Sequence, residues 1–223
     1  MGVISHVVGF DDAPFAPDHR GDVPVVGAVF CGNRLEGVLR GKVRRDGANA
    51  TRELARLVEQ SRFRAHLQAV LLQGIALAGF NVVDLPALYR RLRLPVLAIA
   101  RRPPDMVGIE RALRGPVPGG ERKWRRLQRA GPMQPLAGLQ VQRVGIDAVA
   151  AAELIVRLAA NGRVPEPLRT AIASPVSPPP RMTQNSSSPS GETARAAASA
   201  SSPAQAAAAR PELPRRPGEH LRR

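Results

Sequence analysis

Four positions in this 223-residue sequence carry side chains suited to holding a divalent cation: the pair Asp11-Asp12, then Asp46 and Gln73. Each closes a stretch patterned like a strand. Asp11 and Asp12 follow HVVGF, Asp46 follows the alternating run that ends at Arg45, and Gln73 follows AVLL. Mg²⁺ and Mn²⁺ take hard oxygen ligands, and a cation between carboxylates activates water while neutralising charge on a leaving phosphate oxygen. Two like charges about 4 Å apart repel by roughly 1 kcal/mol even in water and by more in a cleft, so converging acids point to a metal. Taken singly, these residues have ordinary duties: Asp12 before Ala13-Pro14 shapes a turn, and Asp46-Gly47 is a turn pair. By contrast His6, His19, His66, Ser5, Ser61 and Cys31 fall at no spacing that pairs a nucleophile with a base.

Whether the acids converge depends on the elements that carry them. Residues 6–10 (HVVGF) and 23–31 (VPVVGAVFC) read as strands, and Gly32-Asn33 is a tight-turn signal into a third strand over 34–45. In the third, Leu35, Gly37, Leu39, Gly41 and Val43 share one face and mostly basic residues the other. ANATRELARLVEQ follows as a helix that Asn49 or Thr51 would cap. A fourth strand, 68–72, is apolar on both faces, as a buried central strand should be. Asp84 then caps a helix reaching Leu92, and 95–100 (PVLAIA) forms a fifth strand. A helix runs from Asp105 to Gly115, a very basic one covers 120–130, and 139–144 reads as an edge strand. A last helix starts at Asp147 and stops at Asn161-Gly162. Three hairpin-linked strands, a helix and a parallel central strand make an α/β chain in the order of the ribonuclease H-like mixed sheet, with flanking helices. In that order strands one and four are neighbours, so Asp11, Asp12, Asp46 and Gln73 approach one another.

Composition narrows the partners. The formal charge is +15, and 31 of the 33 basic residues are Arg. Polyanions are natural partners for such a chain, although high Arg, Ala, Gly and Pro content also follows from GC-biased coding. One cysteine excludes an internal disulfide and fits a reducing cytoplasm. The most apolar window, 69–83, is too short to span a bilayer, so no membrane association is expected. Residues 174–223 hold almost no large apolar side chain and are expected to form a disordered Pro/Ser/Ala/Arg-rich tail, leaving a folded domain over 1–173 with a charge of +11.

GFDDAPF, RDGANATRELA, SRFRAHLQAVLLQGIALAGFNVVDLPALYR, LPVLAIARRPPD, IERAL and VPEPLR resemble, in order, the blocks of the endonuclease dU family. That family is found largely in archaea, is related to endonuclease V and has a ribonuclease H-like core. The resemblance covers roughly residues 4 to 173, and it implies a Mg²⁺-dependent endonuclease that nicks DNA at damaged bases such as deoxyuridine, a DNA-repair activity. Asp11 matches the family's metal-bridging aspartate, and Asp12 and Asp46 match as well. The family's LDGI stands here as Leu72-Gln73-Gly74-Ile75, and its GxDAT as Gly47-Ala48-Asn49-Ala50-Thr51. RTAIAS, near the core's end, is shorter than the family pattern and lacks its histidine.

Two functions follow. In the first, Asp11, Asp12, Asp46 and Gln73 are catalytic in a hydrolase, with Asp11, Asp46 and Gln73 holding Mg²⁺ (or Mn²⁺). In the second, a degenerate descendant binds nucleic acid without cutting it. Arg34, Arg40 and Lys42, together with Arg122, Lys123, Arg125, Arg126 and Arg129 on the basic helix, would then hold phosphates. On that helix Trp124 and Leu127 are three apart and read as its core face. DNA is the expected partner in both, RNA is not separated from it, and no small-molecule cofactor is implied.

Overall fold

The computed structural model describes residues 3–173, so the expected tail lies outside the described residues. Nine strands and six helices are present among them. They are β1 (His6–Asp12), β2 (Asp22–Cys31), β3 (Arg34–Arg44), α1 (Ala50–Glu59), β4 (Ala69–Gln73), β5 (Ala76–Leu77), β6 (Asn81–Val82), α2 (Leu85–Leu92), β7 (Val96–Ala100), α3 (Met106–Arg114), α4 (Gly120–Ala130), β8 (Gln134–Leu136), β9 (Leu139–Val144), α5 (Ala148–Leu158) and α6 (Glu166–Ala173). Seven strands form one sheet in the order β3-β2-β1-β4-β7-β9-β8, and β5 and β6 make a separate hairpin. β1 runs antiparallel to β2 and parallel to β4, the expected adjacency of strands one and four.

Alternation along the central strands divides the core between the two faces of the sheet. Val8, Phe10, Val70 and Leu72 pack on one side with Leu54, Leu57 and Val58 of α1 and Leu88 of α2. Val7, Leu71, Leu97 and Ile99 pack on the other with Leu154 and Leu158 of α5 and Leu168 and Ala171 of α6. All five residues of β4 are buried, as its apolar sequence requires. Among the described residues no helix is long and apolar enough to cross a membrane.

Several local expectations need correction. Strand β9 is not at the edge, because Pro135 and its neighbours add β8 outside it. Leu35 is exposed rather than part of the core face: a bulge between Val29 and Phe30 leaves Glu36 as an extra residue opposite them and breaks the alternation there. Asn49 stands at the N-cap position of α1 but its side chain accepts no capping hydrogen bond, and Thr51 Oγ1 instead accepts from the Asp84 N–H at 2.9 Å. Helix α5 ends at Leu158, before Asn161-Gly162. The β5–β6 hairpin and α6 have no counterpart in the sequence reading. Helix α6 lies directly over β1: a Cβ on Gly9 would come within 2.6 Å of the Pro167 carbonyl carbon.

Candidate metal centre at the strand ends

Asp11 and Gln73 are brought together by register. Phe10 pairs with Leu72 across the parallel β1–β4 ladder, so the next residues, Asp11 and Gln73, are neighbours at the carboxyl ends of the two strands. Both lie on the sheet face covered by α5 and α6, because they share the alternation of Val7 and Leu71. Both are buried, at 8% and 6% exposure. Gln73 Oε1 has no hydrogen-bond partner, which costs about 1–3 kcal/mol for a buried acceptor.

The carboxylates here are poorly supported as anions. Burial, with the neighbouring Asp12 charge, pushes Asp11 up to about 8, although the Asp12 N–H donates to its Oδ1 at 2.9 Å. Burial likewise raises Asp12 to about 6, opposed by a hydrogen bond from the Ala78 main chain. One buried and one half-buried acid beside a neutral, unpartnered oxygen donor form a set of hard ligands with too little positive charge nearby. These residues fit a divalent cation such as Mg²⁺ or Mn²⁺: its charge would lower both acids, and Gln73 Oε1 would gain a partner.

Asp46 reaches this centre indirectly. Its N–H donates to Ala78 O at 2.9 Å, its Oδ1 accepts from Phe80 N–H at 2.8 Å, and its Oδ2 lies 3.3 Å from Arg45 Nε. Asp46, Ala78 and Gly79 all have positive φ, and a Cβ on Gly79 would meet Asp46 Oδ1 at 2.5 Å. The Asp46 carboxylate therefore fastens the β5–β6 turn, and Ala78 in that turn links it to Asp12. Asn49, where the family pattern has an aspartate, sits in a second structural network. Its Oδ1 accepts from Arg44 N–H at 3.1 Å and from Asn81 Nδ2 at 2.7 Å, while Asn81 Oδ1 accepts from Ala50 N–H. Only one of the two amide replacements, Gln73, falls beside buried Asp11.

The basic residues expected to face phosphate divide into groups. Lys123 does not face solvent: it is 2% exposed, its Nζ donates to Asp46 O, and burial lowers its pKa against the pull of Asp46. Arg126 is half-buried and donates to Val82 O, Arg129 pairs with Asp84 at 3.0 Å, and Arg34 with Glu36 at 2.9 Å. Arg125 lies 3.5 Å from Glu121. Arg40, Lys42 and Arg122 are exposed and carry no side-chain partner among the described residues. Trp124 and Leu127 pack with Val82 and Leu113, as their spacing predicts. The sequence reading missed a more concentrated basic feature. Arg101 and Arg102, just beyond β7, join Arg163 and Arg169 around a cleft of about 380 Å³. Gln73 pairs with Ile99, two residues before Arg101, so the cleft opens past the same strand ends as the acids. RRPPD after an apolar strand was the available signal.

A mixed sheet in this strand order, with the acids Asp11 and Asp12 where β1 ends beside β4, defines a ribonuclease H-like domain. The chain belongs to the endonuclease dU family, whose model matches residues 4–176. It is 57% identical over 168 residues to a UPF0215 protein of Deinococcus radiodurans, across 75% of this chain and 86% of that protein. A crystal structure of an Archaeoglobus fulgidus protein of unknown function superposes with a TM-score of 0.70 at 32% identity, over 75% of this chain and 94% of that one. Ciona intestinalis endonuclease V, solved with DNA containing an inosine followed by a ribo-adenosine, is a more distant likeness: TM-score 0.47 and 14% identity over 75% of this chain and 82% of that one.

Proposed function

We propose that this protein is a Mg²⁺- or Mn²⁺-dependent endonuclease that nicks DNA at damaged bases of the deoxyuridine type, acting in DNA repair in the cytoplasm. The reading rests on buried Asp11, with half-buried Asp12 after it in β1, next to the unpartnered Gln73 Oε1. Asp11, Asp12 and Gln73 would hold the ion, which supplies an activated water and a counter-charge for the leaving oxygen. Asp11 contributes charge from β1, and Gln73 contributes a neutral oxygen from β4. Asp46, expected from the sequence to be a ligand, acts as a positioning residue that sets the turn against Asp12. Arg101, Arg102 and Arg163 hold the phosphate backbone at the cleft. The substrate class follows from the family's name.

The test is nicking of an end-labelled duplex carrying one deoxyuridine, beside a thymidine control, with Mg²⁺, with Mn²⁺ and with chelator. Cutting that needs metal and deoxyuridine is expected. Asp11→Ala should reduce it by more than the roughly 100-fold that loss of a supporting partner costs a metal site. Cutting by Gln73→Asp but not by the natural chain would instead assign this protein to non-catalytic nucleic-acid binding.

A further inference from the structure

Seen only in sequence, His6, Cys31 and Glu36 have no relation to one another, yet the hairpin register unites them. His6 pairs directly with Cys31 across β1 and β2, and the bulge that leaves Glu36 unpaired in β3 turns its carboxylate towards His6. One ligand atom from each of the three half-buried side chains lies within 4.8 Å of the others. The cluster is at the far end of β1 from Asp11, about 16 Å away at a strand's rise per residue.

Hydrogen bonds around His6 and Glu36 orient the cluster. Gln68 Oε1 accepts from Ser5 N–H at 2.7 Å and from His6 N–H at 2.9 Å, which fixes it as the acceptor of that amide. The Ser5 hydroxyl lies within donating distance of the same oxygen, at 3.1 Å. Ser5 Oγ also lies 2.9 Å from His6 Nδ1 and so holds that edge of the ring. The other ring nitrogen, Nε2, faces Glu36 Oε2 at 3.8 Å. The other Glu36 oxygen is taken by Arg34 at 2.9 Å. Imidazole nitrogen, carboxylate oxygen and cysteine sulfur thus face one another, and His6 and Glu36 are each oriented by a partner on the opposite atom. That is how ligand side chains are held at metal sites.

We propose that His6, Cys31 and Glu36 form a second cation site, selective for a borderline-soft divalent ion such as Zn²⁺. Sulfur and imidazole favour Zn²⁺ over Mg²⁺. Tetrahedral bonds of about 2.0–2.3 Å put ligand atoms roughly 3.5 Å apart, so closure needs about 1 Å of side-chain movement. The fourth position is open to water or to exposed His66, whose ring centroid lies 6.0 Å from that of His6.

The test is titration of the metal-stripped full chain with Co²⁺, followed by its near-ultraviolet thiolate-to-cobalt charge-transfer absorption, and then displacement by Zn²⁺. One equivalent of Co²⁺ should produce the band and one of Zn²⁺ should remove it. Cys31→Ser and His6→Gln, checked for folding by thermal unfolding, should weaken Zn²⁺ binding at least about 10-fold, whereas Asp11→Asn should keep the band. No band from the natural chain, or Zn²⁺ affinity unchanged by Cys31→Ser, would overturn the site and leave His6 and Glu36 as an ion pair alone. Loss of the band in Asp11→Asn but not in Cys31→Ser would also overturn it.

Discussion

Asp11 is where the cost of the candidate metal centre is concentrated. Its folded-state pKa, about 8, is well above its ordinary value of 3.8, so the folded protein binds more protons than the unfolded chain between about pH 4 and pH 8. Without metal, stability therefore falls as pH rises through that window and levels off above it. Asp11→Asn should remove the penalty: at pH 8 without metal the variant is expected to melt about 10 °C higher or more, with little difference at pH 4. Equal melting temperatures at pH 8 would contradict the uncompensated charge. At this scale the acids and the amide at Gln73 were legible in sequence, because residue type and strand-end position sufficed. The burial of Lys123 was not. A lysine inside the pattern RKWRRLQR looks solvated, and only the approach of the Asp46 carbonyl from a distant turn gives its ammonium a partner.

At the scale of elements, the long patterned strands and the capping residues Asp84, Asp105 and Asp147 were readable, since periodicity and local hydrogen bonding determine them. Elements shaped by tertiary contact were not. The two-residue strands of the β5–β6 hairpin are too short to show alternation, yet their turn joins Asp46 to Asp12. Helix α6 has only eight residues, and its sole local signal was Pro165 and Pro167 around a first turn. Its placement rests on Gly9: because a Cβ there would strike Pro167 main-chain atoms at 2.6–2.8 Å, the helix would have to lift. Gly9→Ala is expected to cost about 1–3 kcal/mol, a drop of several degrees in thermal unfolding. An unchanged melting temperature would show that α6 does not press on β1.

For the molecule as a whole, net charge suits a polyanion partner but does not say where one would lie. Much of α4's charge is spent on internal contacts, while Arg101, Arg102, Arg163 and Arg169 gather from segments far apart in sequence. DNA affinity, followed by fluorescence anisotropy, should fall steeply from about 50 to 200 mM salt. Arg101→Gln with Arg163→Gln should lower the slope of log K against log salt by about 2, and Arg129→Gln, which loses an arginine paired to Asp84, by less. A slope untouched by the double change would move the phosphate contacts elsewhere. The claim underneath all of this is that the ends of β1 and β4 hold a divalent cation. Its most direct test is Mn²⁺ titration of metal-stripped protein at pH 8, reading free ion by electron paramagnetic resonance, in a Cys31→Ser background that silences the sulfur-bearing cluster. An added unit charge about 4 Å from a divalent ion is worth roughly 2 kcal/mol even in water, or about 30-fold in affinity. The expected result is one bound Mn²⁺ per chain, tightened at least about 10-fold by Gln73→Asp and abolished by Asp11→Asn; equal Mn²⁺ affinity in all three proteins would contradict it.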